Sequence, residues 1–121
     1  MVDQRFPKDI RLRTAAEFRV VFQRPMRAND ACFTVLARDN QLAFARLGFA
    51  IAKKKVKRAV DRNRIKRVVR EVFRLQHHNL GHFDFVVIAK MGLANKSNIQ
   101  ITRSILKHWA MIQQKCDKSL L

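Results

Sequence analysis

The sequence predicts an α+β fold, a small single-domain sandwich with elements in the order helix, strands, helix, strand, helix. Three observations predict it. Segments of helical and of strand-like periodicity alternate along the chain. A length of 121 residues suits one hydrophobic core and not two. A composition that is 48% hydrophobic, with Gly 3 and Pro 2, excludes a disordered chain.

The first element is a short amphipathic helix in TAAEFRVVFQRP. Thr14 and Glu17 have capping-box spacing, Phe18, Val21 and Phe22 recur at helical spacing, and Pro25 ends the run. Ala31 to Arg38 and Leu42 to Ala52 are rich in aromatic and branched residues, and the polar turn Asp39, Asn40, Gln41 makes them read as an antiparallel hairpin. The basic run KKKVKRAVDRNRIKRVVREVFR, from Lys53, reads as a long helix reaching about Leu80, with Gly81 as its breaker. Phe83 to Lys90 is apolar enough for a central strand, and Ile101, Ile105, Trp109 and Ile112 mark a last helix. Short flexible ends are expected at 1–8 and 115–121, with no repeat or linker between.

Lys+Arg 26 against Asp+Glu 9 leaves a formal charge of +17, which implies a polyanionic partner and, first among these, nucleic acid. An anionic membrane would need a lipid-facing helix, and none is evident. No signal peptide and no run of about 18 apolar residues is present, so a cytoplasmic protein is expected. Cys32 and Cys116 lack CxxC spacing and read as free thiols, Cys32 buried.

On the basic helix, Ile65, Val68, Val69, Val72 and Phe73 form one apolar stripe, while Asn63, Arg67, Arg70 and Arg74 point the opposite way. Arg62 and Lys66 flank the stripe on one side and Arg64 on the other. Burial of the stripe would anchor a rigid comb of guanidinium groups, whose planar forks suit phosphate. Acidic partners at i+4 are nearly absent, which weakens the reading of an ordinary solvated helix face.

The run RLGFAIAKKKVKRAVDRNRIKRVVREVFR, with FPK and EFRVVFQ before it and DFVVIAK after it, resembles the protein subunit of bacterial ribonuclease P. The RNR at Arg62 to Arg64 is that family's signature, and matching blocks cover nearly the whole chain in order. The resemblance implies a subunit that binds a catalytic RNA and the 5′ leader of precursor tRNA, one protein to one RNA. In that family the RNA performs Mg²⁺-dependent removal of the leader. It further implies that Lys53, Lys54, Arg58, Arg62, Asn63, Arg64, Lys66, Arg67 and Arg70 face the catalytic RNA, and that Phe18, Phe22 and Leu36 line a leader cleft between the first helix and the sheet. Leu36 replaces a residue commonly aromatic in relatives, and Ala52 one that is often serine. A left-handed βαβ crossover around the RNR helix is implied as well, against the right-handed default.

From pattern alone, Phe18 and Phe22 read as core residues beside Val21, and only the resemblance makes them cleft residues. His77, His78 and His82 lack the spacing of a structural zinc site. The carboxylates, scattered singly, do not suggest a nuclease centre, so no catalytic residue and no metal ligand is assigned. An RNA-binding protein of ribosomal type is the alternative reading, and a DNA-binding protein, lacking a helix-turn-helix or zinc-finger pattern, is a weaker one.

Overall fold

The computed structural model describes residues 10–77 and 80–119, with side chains described as far as Lys115. Its elements are α1 (Ala15–Val21), β1 (Met26–Asn29), β2 (Phe33–Asp39), β3 (Arg46–Ala50), α2 (Ala59–Gln76), β4 (Phe83–Ala89), a 3-10 turn (Leu93–Asn95) and α3 (Asn98–Ser119). The four strands form one mixed sheet in the order β1-β2-β4-β3. Of the expected chain ends, 1–8 and 120–121 lie outside the described residues, and 115–119 continue α3.

The predicted hairpin is not formed. β4 separates β2 from β3, pairing antiparallel with β2 and parallel with β3. The hairpin present is β1–β2, whose turn is made by Asp30: its Oδ1 accepts from the backbone N–H groups of Cys32 (2.8 Å) and Phe33 (2.9 Å). The polar turn at Asp39 to Gln41 instead carries the chain past the start of β4, where the Asn40 N–H donates to the His82 carbonyl at 2.8 Å. Crossing β4 means spanning two strand spacings, roughly 10 Å, which a tight hairpin turn cannot do.

The basic run is also not helical from its start. Lys53 to Val56 form a turn on the Ala52 carbonyl, anchored by Val56 at 1% exposure, and α2 begins at Ala59 and ends at Gln76, short of Leu80. Gly81, at φ 72°, holds the left-handed conformation before β4.

Alternation along the strands makes two cores. Phe33, Val35, Leu47, Phe85 and Val87 face α2 and α3, where they meet the apolar stripe Ile65, Val69, Val72 and Phe73 and the α3 residues Ile101, Ile105, Trp109 and Ile112. Aromatic edges fill the centre, with Trp109 4.8 Å from Phe85 and 6.3 Å from Phe73 between centroids. On the opposite face, Leu36 and Val86 pack under Val21 of α1 and Leu12. The chain is therefore a sandwich with two helices below the sheet and one above, and β3, α2 and β4 make the expected βαβ unit.

Candidate nucleic-acid interface

Two surfaces follow from this layering. The first is the solvent side of α2 with the turn before it. Burial of Ile65, Val69, Val72 and Phe73 leaves Lys53, Lys54, Arg58, Asn63 and Arg67 exposed. The Lys53–Arg58 turn faces the turn after β4 across a concavity of 470 Å³, lined by Lys54, Lys55, Lys57, Arg58 and one acid, Asp61, on one side and Met91, Gly92, Ala94 and Asn95 on the other. Lys57 joins the positive surface here, although only its place within the basic run marks it in the sequence.

The remaining predicted residues of this face are partly buried and have structural work as well. Arg62 Nη1 donates to the carbonyls of Val56 (3.0 Å) and Lys57 (2.8 Å), so it closes the lysine-rich turn. Arg64 donates from Nη1 to Asn98 Oδ1 (2.7 Å) and from Nη2 to the Ala94 carbonyl (3.1 Å), which ties α2 to the start of α3. A guanidinium carries five N–H donors, so both keep donors for phosphate. Lys66 is partly buried too. Arg70 departs from the expectation of pointing away from the stripe: its guanidinium lies 5.5 Å from the Phe49 ring centroid, and burial, then the neighbouring Arg11, lower its pKa. Arg74 pairs with Glu71.

The second surface is the α1 side of the sheet, where the strand register lays out three rows. Arg38, Asp84 and Arg46 form a charged row; Leu36, Val86 and Gly48 an apolar one; Asn29, Thr34, Ile88 and Ala50 a third. Helix α1 covers the first two. Over the charged row, Arg46 donates from Nε and Nη2 to the two Asp84 oxygens (2.8 and 2.7 Å) and from Nη1 to Glu17 Oε2 (2.8 Å). Glu17 also closes the predicted capping box with Thr14, and its pKa is lowered chiefly by the backbone N–H groups of Arg13 and Thr14. Over the apolar row, Phe18 lies against Gly48, where an added Cβ would sit 2.6 Å from its ring. The third row is left open: Thr34, Ile88 and Ala50 are partly exposed and Asn29 is exposed.

Phe18, partly buried, packs on the same cluster of Leu12, Val21, Leu36 and Val86 that Ala50 and Ile88 border, and Phe22 follows one turn later at 49% exposure. Val21 at 0% exposure is the core residue of α1. Leu36 is corrected: at 1% exposure under Val21 and Leu12 it forms the packed floor beneath α1 and offers no open contact. The open floor residues Thr34, Ile88 and Asn29 escape sequence reasoning, because β1 and the register that aligns them are invisible in the pattern.

A family model described as Ribonuclease P matches residues 6–113. The chain belongs to the ribonuclease P protein family. It is 50% identical over 109 residues to the ribonuclease P protein component of Serratia proteamaculans, covering 90% of this chain and 92% of that one. Identity to the component from Methylococcus capsulatus is 45% over 114 residues, covering 94% and 89%. The solved Staphylococcus aureus RNase P protein superposes with a TM-score of 0.79 at 27% identity, covering 84% of this chain and 94% of that one. The RNase P protein from Thermotoga maritima, solved with 1-(4-fluorophenyl)-2-thiourea, gives 0.72 at 31% identity, covering 79% and 94%. As a ribonuclease P protein, the chain is the protein subunit of a ribonucleoprotein enzyme with an RNA partner.

The family's Mg²⁺ dependence finds no matching donor set among the described residues. Among the described residues no three His, Cys, Asp or Glu side chains converge, and the carboxylates of Glu17, Asp30, Asp84 and Glu71 are each committed to hydrogen bonds or ion pairs. Of the three histidines considered for zinc, His78 lies outside the described residues. Cys32 is buried and free, and the Cys116 side chain lies outside the described residues. No helix among the described residues is long and apolar enough to cross a membrane.

Proposed function

We propose that this chain assists removal of the 5′ leader from precursor tRNA by holding two RNAs on two different surfaces. The exposed side of α2, with Lys53, Lys54, Arg58, Asn63 and Arg67 and the free donors of Arg62 and Arg64, takes phosphates of the catalytic RNA. Lys66 and Arg70 add charge at the margins of that face. The groove between α1 and the Asn29, Thr34, Ile88, Ala50 row takes unpaired leader nucleotides, with Phe18 and Phe22 as its aromatic wall. One protein serves one RNA, in the cytoplasm. The Mg²⁺ required for hydrolysis is bound by the RNA subunit, and the protein's residues bind, orient and neutralise charge.

The observation that carries this reading is the pairing of an acid-poor arginine face with a separate groove beside an exposed phenylalanine. Generic RNA binding of ribosomal type would need the first surface alone. The test is reconstitution. Isolated protein should leave precursor tRNA intact, and cleavage should require the cognate RNA and Mg²⁺, with protein tightening precursor more than mature tRNA. Cleavage by rigorously RNA-free protein, or equal tightening of the two tRNAs, would falsify it.

A further inference from the structure

Helix α1 has only seven residues, too few to hold its own conformation in water, yet it and its C-terminal cap carry Phe18 and Phe22, the proposed wall of the groove. Its N-terminal turn is fixed by the Thr14–Glu17 capping box and by Arg46. Its C-terminal turn has only backbone bonds of its own, the Phe22 N–H to the Phe18 carbonyl and the Gln23 N–H to the Val20 carbonyl, both at 3.1 Å, and no side chain of the helix caps it. The last carbonyls of a helix lack intrahelical partners, and Arg24, at φ 50°, turns the chain abruptly away. A side-chain donor to this turn comes from the sheet. Arg38 of β2 reaches across the charged row, and its Nη1 donates to the Val20 carbonyl at 3.0 Å and the Gln23 carbonyl at 2.6 Å.

Phe22 sits between the two gripped residues, as the C-terminal cap of α1. Its ring is half exposed, so packing alone does not fix its direction. The backbone of that turn does. We infer that Arg38 is a positioning residue for leader recognition: by clamping the Val20–Gln23 turn from the sheet, it holds Phe22 ready for a nucleotide base. This rests on the reading of the α1 groove as the leader site. Preorganisation of this kind shows as affinity for the leader, because an unclamped turn must be ordered when the leader binds. Arg38 itself lies in the charged row beneath α1, on the side of the helix away from the open third row, so the proposed role needs no direct contact with the leader.

The test uses holoenzyme reconstituted with the cognate RNA and Mg²⁺, and compares affinity for leader-bearing precursor with that for mature tRNA. Arg38→Met keeps the aliphatic stem and removes the donors. It should lower the precursor-to-mature ratio about five-fold, the scale of losing one helix cap, with mature tRNA binding unchanged. Arg38→Lys, which restores a donor at similar reach, should recover part of the ratio. Combining Arg38→Met with Phe22→Ala should lower the ratio no further than Phe22→Ala alone, since both act through one ring. The dependence of precursor binding on salt should keep its slope in Arg38→Met. A slope shallower by about one would mean that Arg38 contacts a leader phosphate directly and would overturn the positioning role. So would additive effects in the double variant, or an unchanged ratio in a folded Arg38→Met protein. If Phe22→Ala itself leaves the ratio unchanged, the leader groove fails, and the role of Arg38 fails with it. An effect of Phe22→Ala without one of Arg38→Met sinks the inference alone. Should Arg38→Met melt below the assay temperature, Arg38→Lys carries the test: a ratio between those of the parent and Phe22→Ala supports the clamp, and a parental salt slope with mature-tRNA affinity lost overturns it.

Discussion

At the scale of single residues, arginines on one helix divide by what else they hold. Arg67 is exposed, whereas Arg64 is bound to Asn98 and the Ala94 carbonyl. Arg67→Ala should therefore leave the melting temperature unchanged and make the logarithmic salt dependence of RNA affinity shallower by about one unit. Arg64→Ala should weaken RNA binding and also lower the melting temperature, because it leaves a partly buried carbonyl short of a donor, at a cost of about 1 kcal/mol. Titration of RNA affinity against salt, beside thermal melts, separates them. The same logic applies to the aromatic wall. A buried Phe→Ala costs about 3 to 5 kcal/mol, but Phe22 is half exposed, so Phe22→Ala should melt close to the parent protein. Its effect should appear in precursor affinity, where stacking on an unpaired base contributes roughly 1 to 3 kcal/mol. An early-melting Phe22→Ala protein with an intact precursor-to-mature ratio would return that ring to the core.

At the scale of elements, α1 depends on the sheet through the Glu17–Arg46–Asp84 chain. Asp84 is 4% exposed and accepts from Arg46 and from Asn40, so Asp84→Ala leaves Arg46 its Glu17 partner but takes an acceptor from both donors, and should cost about 2 kcal/mol, measured by denaturant unfolding. A loss under about 1 kcal/mol would show that water replaces the carboxylate. How much of these elements was legible in the sequence varies with how local their causes are. The capping box at Thr14 and Glu17, the α3 stripe from Ile101 to Ile112 and the doubly covered strand β4 are written in adjacent residues, and all are present. Strand β1 was not legible, since Met26–Asn29 contains no β-branched or aromatic residue and is a strand only because β2 offers it an edge. The false β2–β3 hairpin came from taking neighbours in sequence as neighbours in space. For the site, the apolar stripe of α2 and the cations beside it could be read from spacing. The bracing by Arg62 and Arg64, the turn of Arg70 onto Phe49 and the covering of Leu36 could not, because each depends on a distant partner that no local pattern names.

At the scale of the whole molecule, a charge of +17 sits on a fold in which three of the few acids, Glu17, Asp30 and Asp84, fasten one element to another. Asp30 is one: burial alone would raise its pKa, but hydrogen bonds from Ser104, Phe33 and Cys32, and then the proximity of His108, lower it. Glu17 is lowered also. A carboxylate whose folded pKa is depressed adds stability that is fully present above its unfolded value, about 4, and is lost as pH falls through the folded value. The fold should thus hold its stability at neutral pH and lose it steeply below about pH 4, and Asp30→Asn should flatten that part of the curve; a pH series of thermal melts reads both. The sheet order has a further consequence, in the time during which the protein is made. β4 is the last strand to leave the ribosome and the one that must enter between two already synthesised. Until Phe83–Ala89 arrives, β2 and β3 have no common neighbour, and the pairings open to the chain are the β1–β2 ribbon and the single bridge from Arg11 to Leu47 of β3, an assembly marginal in water by itself. The sheet then closes in one late, long-range step, so a nascent chain stalled ahead of Phe83 carries the apolar strand edges that β4 covers in the folded protein, and its aggregation hazard is concentrated in that interval.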